Sequence, residues 1–119
     1  MEIDFKTNVA SVLPPEVGLS LLRVVQEALH NAIKHSGVRQ VEIQLREDSG
    51  EIHIIVSDSG NGFDIEAARR GQGLGLTSMQ ERVRLVGGTM AIESKPMGGT
   101  TIHVRVPLES EDRSQRAAV

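Results

Sequence analysis

The spacing of apolar and polar residues predicts a long helix in the first third of the chain. From Glu16 to about His35, apolar residues recur every three or four positions, as they do along one face of a helix. Pro14-Pro15 suits the first turn, and Gly37 suits the position just past the end. The predicted apolar face comprises Leu19, Leu22, Val25, Leu29 and Ile33, widened by Leu21, Ala28 and Ala32.

Alternation with a period of two predicts strands elsewhere. Residues 41–45 and 52–56 flank the turn residues Asp48-Ser49-Gly50 and read as a hairpin, and residues 1–9 alternate weakly, as an edge strand would. Helical spacing returns from Leu76 to Gly87-Gly88, followed by two further strands at 89–93 and 100–106. This order predicts one sheet covered by helices and not a regular βαβ alternation.

Composition narrows the class of protein. The 119 residues suit one domain, which we expect over 1–108, followed by a polar and disordered tail at 109–119. The net charge of -3 gives no electrostatic reason to bind nucleic acid. The chain has no cysteine, which excludes disulfides and thiolate metal sites and fits a reducing compartment. No apolar run approaches the roughly 20 residues of a membrane span, so we expect no membrane contact by this domain.

The segment after the second predicted hairpin strand carries the strongest chemical signal. Asp58 ends that strand, Gly60 and Gly62 follow, and a second glycine cluster occupies residues 71–76. A carboxylate can accept a hydrogen bond from an exocyclic amino group, and glycines let main-chain N–H groups approach phosphate closely. The alternative is an acidic turn residue that accepts a hydrogen bond from a local N–H group.

Two common phosphate-binding motifs are not matched. A P-loop requires a Gly-Lys dipeptide, and the sequence contains none. A dinucleotide fingerprint requires the spacing G-x-G-x-x-G, whereas Gly71, Gly73 and Gly75 give G-x-G-x-G.

The long helix also has a polar side with useful chemistry. Glu27, Asn31 and Lys34 are spaced by four and three residues, and His35 lies one step round. Together they offer a carboxylate, a neutral oxygen ligand for a hard cation and a cation that pairs with phosphate. Any amphipathic helix has a polar side, so this pattern alone does not establish a site.

Taken together, the motifs resemble those of the GHKL ATPases, the superfamily of gyrase-type topoisomerases, heat-shock chaperones, sensor histidine kinases and mismatch-repair ATPases. Residues 26–36 (QEALHNAIKHS) resemble the N box, residues 58–63 (DSGNGF) the first glycine box, residues 71–76 (GQGLGL) the second and residues 98–101 (GGTT) the last. The resemblance implies a Bergerat fold, that is, an α/β two-layer sandwich in which a mixed, mainly antiparallel sheet is covered on one face by helices.

The amino-acid sequences of two motifs are similar to those of a narrower subgroup. The N-box sequence and the run from Gly71 to Val83 (GQGLGLTSMQERV) resemble the nitrate-sensor and lipid-fluidity-sensor type of bacterial histidine kinase. Those kinases carry a short lid, and only eight residues separate Phe63 from Gln72 here.

The resemblance implies a role for each matching residue, with ATP and Mg²⁺ as cofactors. Asp58 would accept a hydrogen bond from the adenine amino group, with Gly60 and Gly62 allowing the turn. Asn31 would bind Mg²⁺, and Lys34 would pair with phosphate.

Further roles follow from the remaining motif positions. His35 would lie near adenine or ribose, or alternatively cap helix carbonyls, and Glu27 would be the catalytic acidic residue. Gly71, Gly73, Leu74, Gly75 and Leu76 would form the lid hinge and the turn whose N–H groups face phosphate. Thr100 or Thr101 would support Asp58 through a hydroxyl.

The implied function is the catalytic domain of a two-component sensor kinase, which passes the γ-phosphate of ATP to a histidine on separate dimerisation and phosphoacceptor helices. A response regulator would be a partner of the full-length kinase, and the domain would be cytoplasmic. His30, His53 and His103 do not resemble the phosphoacceptor motif. The alternatives are an anti-sigma-factor-type serine kinase of the same fold and a non-enzymatic nucleotide-sensing module.

Overall fold

The computed structural model describes residues 2–10, 12–35, 40–60, 76–94 and 97–108. Within these ranges the elements are β1 (Glu2–Thr7), α1 (Pro15–His35), β2 (Gln40–Asp48), β3 (Glu51–Asp58), α2 (Leu76–Leu85), β4 (Thr89–Ser94) and β5 (Thr100–Pro107). The predicted turn of the second glycine cluster and the tail at 109–119 lie outside the described residues.

The five strands form one sheet in the order β1-β2-β3-β5-β4. β1 runs parallel to β2, and the other neighbours are antiparallel, so the prediction of a mixed, mainly antiparallel sheet is confirmed. The predicted hairpin joins β2 to β3 through Ser49 (φ 54°) and Gly50 (φ 78°). Two consecutive left-handed residues match the twist of the flanking strands, which explains a two-residue connection at this point.

The helices cover one face of the sheet, and the core lies between the two layers. Every second residue of the central strands points into it, and their side chains are almost fully buried. The strand contribution is Val41, Ile43, Ile52, Ile54, Val56, Ile102, Val104 and Val106, and the helices add Val17, Leu21, Val24, Ala28, Ala32, Leu76, Met79 and Val83. The two-layer prediction is therefore confirmed.

The predicted apolar face of α1 was correct only in part: Leu21, Ala28 and Ala32 are buried in the core, but the larger residues of the predicted stripe are not. Leu19, Leu22 and Ile33 are 54%, 52% and 63% exposed, whereas Val25 and Leu29 only flank the core. Apolar residues occupy more than half of the helix circumference, so the spacing fits more than one apolar face. The predicted face was the one with mostly larger side chains. The sheet instead packs against a face that includes smaller valine and alanine side chains, which let the helix backbone come close to the strands.

α2 ends as the sequence predicted, at its pair of glycines. Gly87 has a left-handed backbone (φ 79°), and its N–H donates to the Arg84 carbonyl at 2.9 Å. The Gly88 N–H donates to the Val83 carbonyl, also at 2.9 Å. These two bonds form a Schellman motif, which satisfies the last carbonyls of the helix and turns the chain into β4.

Neither helix in the described part of the chain combines the length and apolar character needed to cross a bilayer.

A group of basic side chains lies on the sheet face away from the helices. His53 of β3 and His103 of β5 approach through Nδ1 and Nε2 at 3.0 Å, with their ring centroids 5.3 Å apart. Partial burial lowers the pKa of His103 below its ordinary 6.5, and the neighbouring His53, Arg105 and Arg46 lower the pKa further. The folded protein therefore takes up a proton on His103 at a lower pH than the unfolded chain does.

This shift predicts a pH-dependent contribution to stability. As the pH falls below about 6.5, the unfolded chain binds the proton first, so His103 should lower the free energy of unfolding. His103→Gln should reduce the loss of stability between pH 7.5 and 5.5, measured as the urea midpoint at each pH. An unchanged slope in His103→Gln would contradict the prediction.

Candidate functional site

Two neighbouring strands, β3 and β5, bring their motif residues to one end of the sheet. Asp58, the last residue of β3, lies opposite Val41 near the start of β2 and opposite Thr100 at the start of β5. The first glycine box and the final Gly-Thr motif are 40 residues apart in sequence but become direct neighbours through this register.

α1 leads to the same end of the sheet, and α2 lies beside β4. The short connection from His35 to Gln40 can span at most about 18 Å, so the C-terminal half of α1 lies near the start of β2. α2 leaves through its glycine turn into Thr89, which lies opposite Arg105 at the far end of β5. Ten helical residues cover about 15 Å, and Leu76 and Thr77 in the first turn of α2 line a cavity with Ala91 and Ile92 of β4.

The Asp58 side chain lies on the helix-covered face, in line with the buried Val56, and is half-buried. The Gly60 N–H donates a hydrogen bond of 2.8 Å to its Oδ1. The local hydrogen bond of the alternative interpretation is therefore present, and it fixes the orientation of the carboxylate. This bond leaves Oδ2 as the second acceptor oxygen of the group.

Gly99 sets how closely β5 approaches the end of β3. Its backbone is left-handed (φ 75°), and a Cβ at this position would lie 2.6 Å from the Asp58 carbonyl oxygen and 3.2 Å from the Ser59 Cα. Only glycine fits both the backbone angle and the available space. Gly99 is a site residue that the sequence motifs did not single out, although the Gly-Gly pair before the threonines was the available signal.

The two threonines lie on opposite faces of β5. Thr100 shares the helix-covered face with Asp58, is 9% exposed, and its Oγ1 lies 2.8 Å from the Ser94 Oγ. Ser94 also donates to the Gly99 carbonyl at 3.1 Å, so it braces the turn that carries Gly99. Thr101 points to the open face, where its hydroxyl lies 3.3 Å from that of Ser57. The fold therefore brings Thr100, and not Thr101, to the side of Asp58.

Asn31 and Glu27 differ in burial on α1. Asn31 is only 8% exposed and lies on the sheet side of the helix beside Ala28 and Ala32, not opposite the apolar face as we expected. Glu27 is half-buried and lines a cavity of about 330 Å³ between α1 and α2. The other lining residues are Arg23, Gln26, His30, Ser78, Met79 and Arg82. Two arginines thus lie beside a carboxylate, in a place where an anionic group could be held.

Several predicted site residues lie partly or wholly outside the described residues. Lys34 and His35 belong to α1 by their backbone. Gly62, Gly71, Gly73, Leu74 and Gly75 are not described. Leu76 is the first residue of α2, and its side chain is buried in the core. A direct role for Leu76 at the site would therefore use its backbone N–H group at the helix N-terminus.

A second cavity near Asp58 has the wrong chemistry for phosphate. It measures about 260 Å³ and is lined by Asp4, Gln40, Glu42, Ser57, Asp58 and Ser59. Glu42 lies directly opposite Asp4 on the neighbouring strand, so carboxylates would repel a triphosphate here. Within the described ranges, no three histidine or acidic side chains converge on a metal position.

Residues 16–110 match the family described as histidine kinase-, DNA gyrase B- and HSP90-like ATPases. The chain belongs to this ATPase family. The matched segment contains all four sequence motifs and every candidate residue considered above, and the fold predicted from the resemblance is the one observed.

Two curated members of the ATPase family are similar in sequence. The signal transduction histidine-protein kinase/phosphatase DegS of Brevibacillus brevis is 35% identical over 92% of this chain, and DegS of Bacillus subtilis is 38% identical over 81%. The matches cover 28% and 26% of those proteins, so the chain spans about a quarter of the length of the curated relatives.

Solved structures of histidine kinases share the fold. The ATP binding domain of PrrB from Mycobacterium tuberculosis is 26% identical, with a TM-score of 0.68, over 91% of this chain and 82% of that one. The histidine kinase domain of the blue-light activated histidine kinase from Erythrobacter litoralis is 23% identical, with a TM-score of 0.71, over 93% of this chain and 54% of that one. At this level of identity, the second likeness concerns the fold alone.

Gly99→Ala should destabilise the protein more than a substitution that is strained only in its backbone angle. Gly87→Ala is the matched control, because Gly87 has φ 79° and no atom lies within 4 Å of its added Cβ. The left-handed backbone alone should cost about 1–2 kcal/mol in either variant. Gly99→Ala carries the contact with the Asp58 backbone in addition, so its urea midpoint should fall further.

The same two variants, Gly99→Ala and Gly87→Ala, distinguish an effect on stability from an effect on ATP binding. Gly99→Ala should also weaken ATP binding measured by calorimetry, because relief of the contact moves Asp58, whereas Gly87→Ala should bind normally once folded. Equal losses of stability in the two variants would show that the close approach at Gly99 is not constraining.

Proposed function

We propose that this chain is the ATP·Mg²⁺-binding catalytic domain of a two-component sensor histidine kinase. It would transfer the γ-phosphoryl group to a histidine on separate dimerisation and phosphoacceptor helices. The observation that carries the proposal is the placement of Asp58, Thr100 and the C-terminal half of α1 at one end of the sheet, in a chain 35–38% identical to two histidine-protein kinases/phosphatases.

Asp58 would select adenine. A carboxylate oriented by the Gly60 N–H group offers an acceptor to the exocyclic amino group of adenine. Guanine presents a carbonyl oxygen at the corresponding edge, and two acceptors facing each other repel. Gly60 and Gly62 would let the chain turn tightly against the base, and Thr100 would support Asp58 through its hydroxyl. Thr101 is the weaker candidate because it faces the other side of the sheet.

The phosphates would be held by groups from both helices. Asn31 offers a buried amide oxygen, which is the kind of ligand that Mg²⁺ accepts together with phosphate oxygens and water. When bound, Mg²⁺ neutralises charge that builds up on the phosphates. Lys34 would add a positive charge, His35 would approach the nucleoside, and Gly71, Gly73, Leu74, Gly75 and Leu76 would present N–H groups at the start of α2.

Glu27 would face the incoming phosphoacceptor. In the transfer, an imidazole nitrogen forms a bond to the γ-phosphorus while the bond to the bridging oxygen breaks and ADP leaves. The cavity that Glu27 lines opens between α1 and α2, and Arg23 and Arg82 lie beside it. We propose that the carboxylate orients the imidazole and that the arginines balance charge on the phosphoryl group.

The partners belong to the proposal, since the curated relatives are about four times as long as this chain. A full-length kinase of this type would be anchored in the inner membrane or free in the cell, and this domain would lie in the cytoplasm. It would pass the phosphoryl group to a response regulator. The resemblance to the nitrate-sensor and lipid-fluidity-sensor subgroup belongs to the proposal in the same way.

Phosphoryl transfer tests the function. The chain is incubated with γ-³²P-ATP, Mg²⁺ and the phosphoacceptor helices of Bacillus subtilis DegS, supplied as a separate protein. The expected product is a labelled helix protein whose phosphate is lost in acid and kept in base, as for a phosphoramidate. Label that survives acid would instead support the serine-kinase alternative, and ATP binding without transfer to any acceptor would support the nucleotide-sensing alternative.

Asp58→Asn should lower the affinity for ATP·Mg²⁺ by about 10- to 100-fold, the range expected when a hydrogen bond to a charged group is lost. The amide oxygen can still accept the Gly60 N–H bond, so the turn should persist. Calorimetric titration measures the change. Asp48→Asn, at the exposed far end of β2, is the matched control and should bind as the wild type does. Equal affinities of the two variants would remove Asp58 from the adenine site.

A further inference from the structure

The open face of the sheet holds a pair of histidines that the nucleotide site does not use. His53 lies opposite Arg105, and His103 lies opposite Ile55, so the two histidines are diagonal neighbours on adjacent antiparallel strands. Diagonal positions on one face are close enough for long or aromatic side chains to meet. Their ring nitrogens, Nδ1 of His53 and Nε2 of His103, lie 3.0 Å apart.

We propose that His53 and His103 form a two-histidine binding site for a late first-row divalent transition metal ion such as Zn²⁺. Imidazole nitrogen is a preferred ligand of these ions. With Zn–N bonds of about 2.0–2.1 Å, tetrahedral coordination separates two nitrogens by about 3.3–3.4 Å. The observed separation is therefore within a few tenths of an ångström of the chelating distance, and water would fill the remaining positions.

The surroundings of His53 favour a ligand role. Glu51 Oε1 lies 3.4 Å from Nε2 of His53, on the ring nitrogen that does not meet His103. A carboxylate at the second nitrogen of a ligating histidine fixes the ring orientation and raises its basicity. Arg105 holds the same carboxylate through an Nε–Oε2 contact of 3.7 Å.

The charges near the pair set limits on the affinity. Arg46 and Arg105 lie in the same cross-strand row as His53 and oppose a second positive charge. The Glu51 carboxylate offsets part of this repulsion. His103 is exposed, and the His53 side chain is 18% exposed, so an ion can reach both nitrogens without unfolding of the sheet.

The site should also connect two strands that end at the nucleotide site. On β3, Asp58 lies five residues after His53, and on β5, Thr100 lies three residues before His103. An ion held by one ligand from each strand would bind the folded sheet but not the extended chain, so it should raise the midpoint of thermal unfolding.

Zinc titration of the untagged chain tests the proposal. ZnCl₂ is added without nucleotide, in a buffer that contains no phosphate or chelator, and the histidine ring protons are followed by NMR. The expected result is saturation at one equivalent, with the His53 and His103 rings shifting together. His103→Gln and His53→Gln should each weaken binding at least about 10-fold, and Glu51→Gln should weaken it by a smaller factor.

The control is His30→Gln, which changes an exposed histidine on α1 and should bind zinc as the wild type does. Circular dichroism verifies that each variant is folded. Because His103 is exposed, His103→Gln should fold and test the proposal even if His53→Gln unfolds. Equal zinc affinity in the wild type and His103→Gln would overturn the proposal. Shifts spread evenly over all histidines would do the same, since the 3.0 Å contact would then be a hydrogen bond between two neutral rings.

Discussion

The packing of the Gly99 turn against the end of β3 is the contact on which the site geometry depends. It places the first residue of β5 beside the last residue of β3, and it does so at a backbone distance that excludes every side chain. Ser94 holds this turn from β4 through the Gly99 carbonyl and the Thr100 hydroxyl. Three strands therefore meet at one glycine, and the Asp58 carboxylate and the buried Thr100 hydroxyl lie beside it.

The packing of α1 decides which of its residues reach the site. Val24, Ala28 and Ala32 lie against the sheet, and this rotation brings Asn31 to the buried side. Because an amide so deeply placed has few rotamers available, its oxygen is better positioned than one on a solvent-facing helix surface would be. Glu27 is one turn earlier and half-buried, which leaves it open to the cavity shared with α2. The same rotation leaves Leu19, Leu22 and Ile33 exposed on the outer side.

Helices and strands with a clear hydrophobic period, and turns that contain glycine, were predictable from the sequence. Which of two possible faces of a helix or strand is buried was not predictable. The hairpin at Ser49-Gly50 and the end of α2 at Gly87-Gly88 follow from local chemistry, and both were found. The face of α1 depends on how closely a helix can approach a sheet, which is a tertiary property that spacing does not encode. The choice between Thr100 and Thr101 depended on the register of the strands. The importance of Gly99 depended on its contact with Asp58, which lies 41 positions earlier in the sequence.

The hydrogen bond from the Gly60 N–H to Asp58 has an entropic consequence for any base that binds there. The carboxylate is already held in one orientation by its own turn before a ligand arrives. Ordering a side chain on binding typically costs about 0.5–1.5 kcal/mol, and here that cost falls on folding and not on association. Under the proposed function, nucleotide affinity would be coupled to the Asp58-Ser59-Gly60 turn, and a change that loosens this turn would weaken recognition without touching a ligand contact.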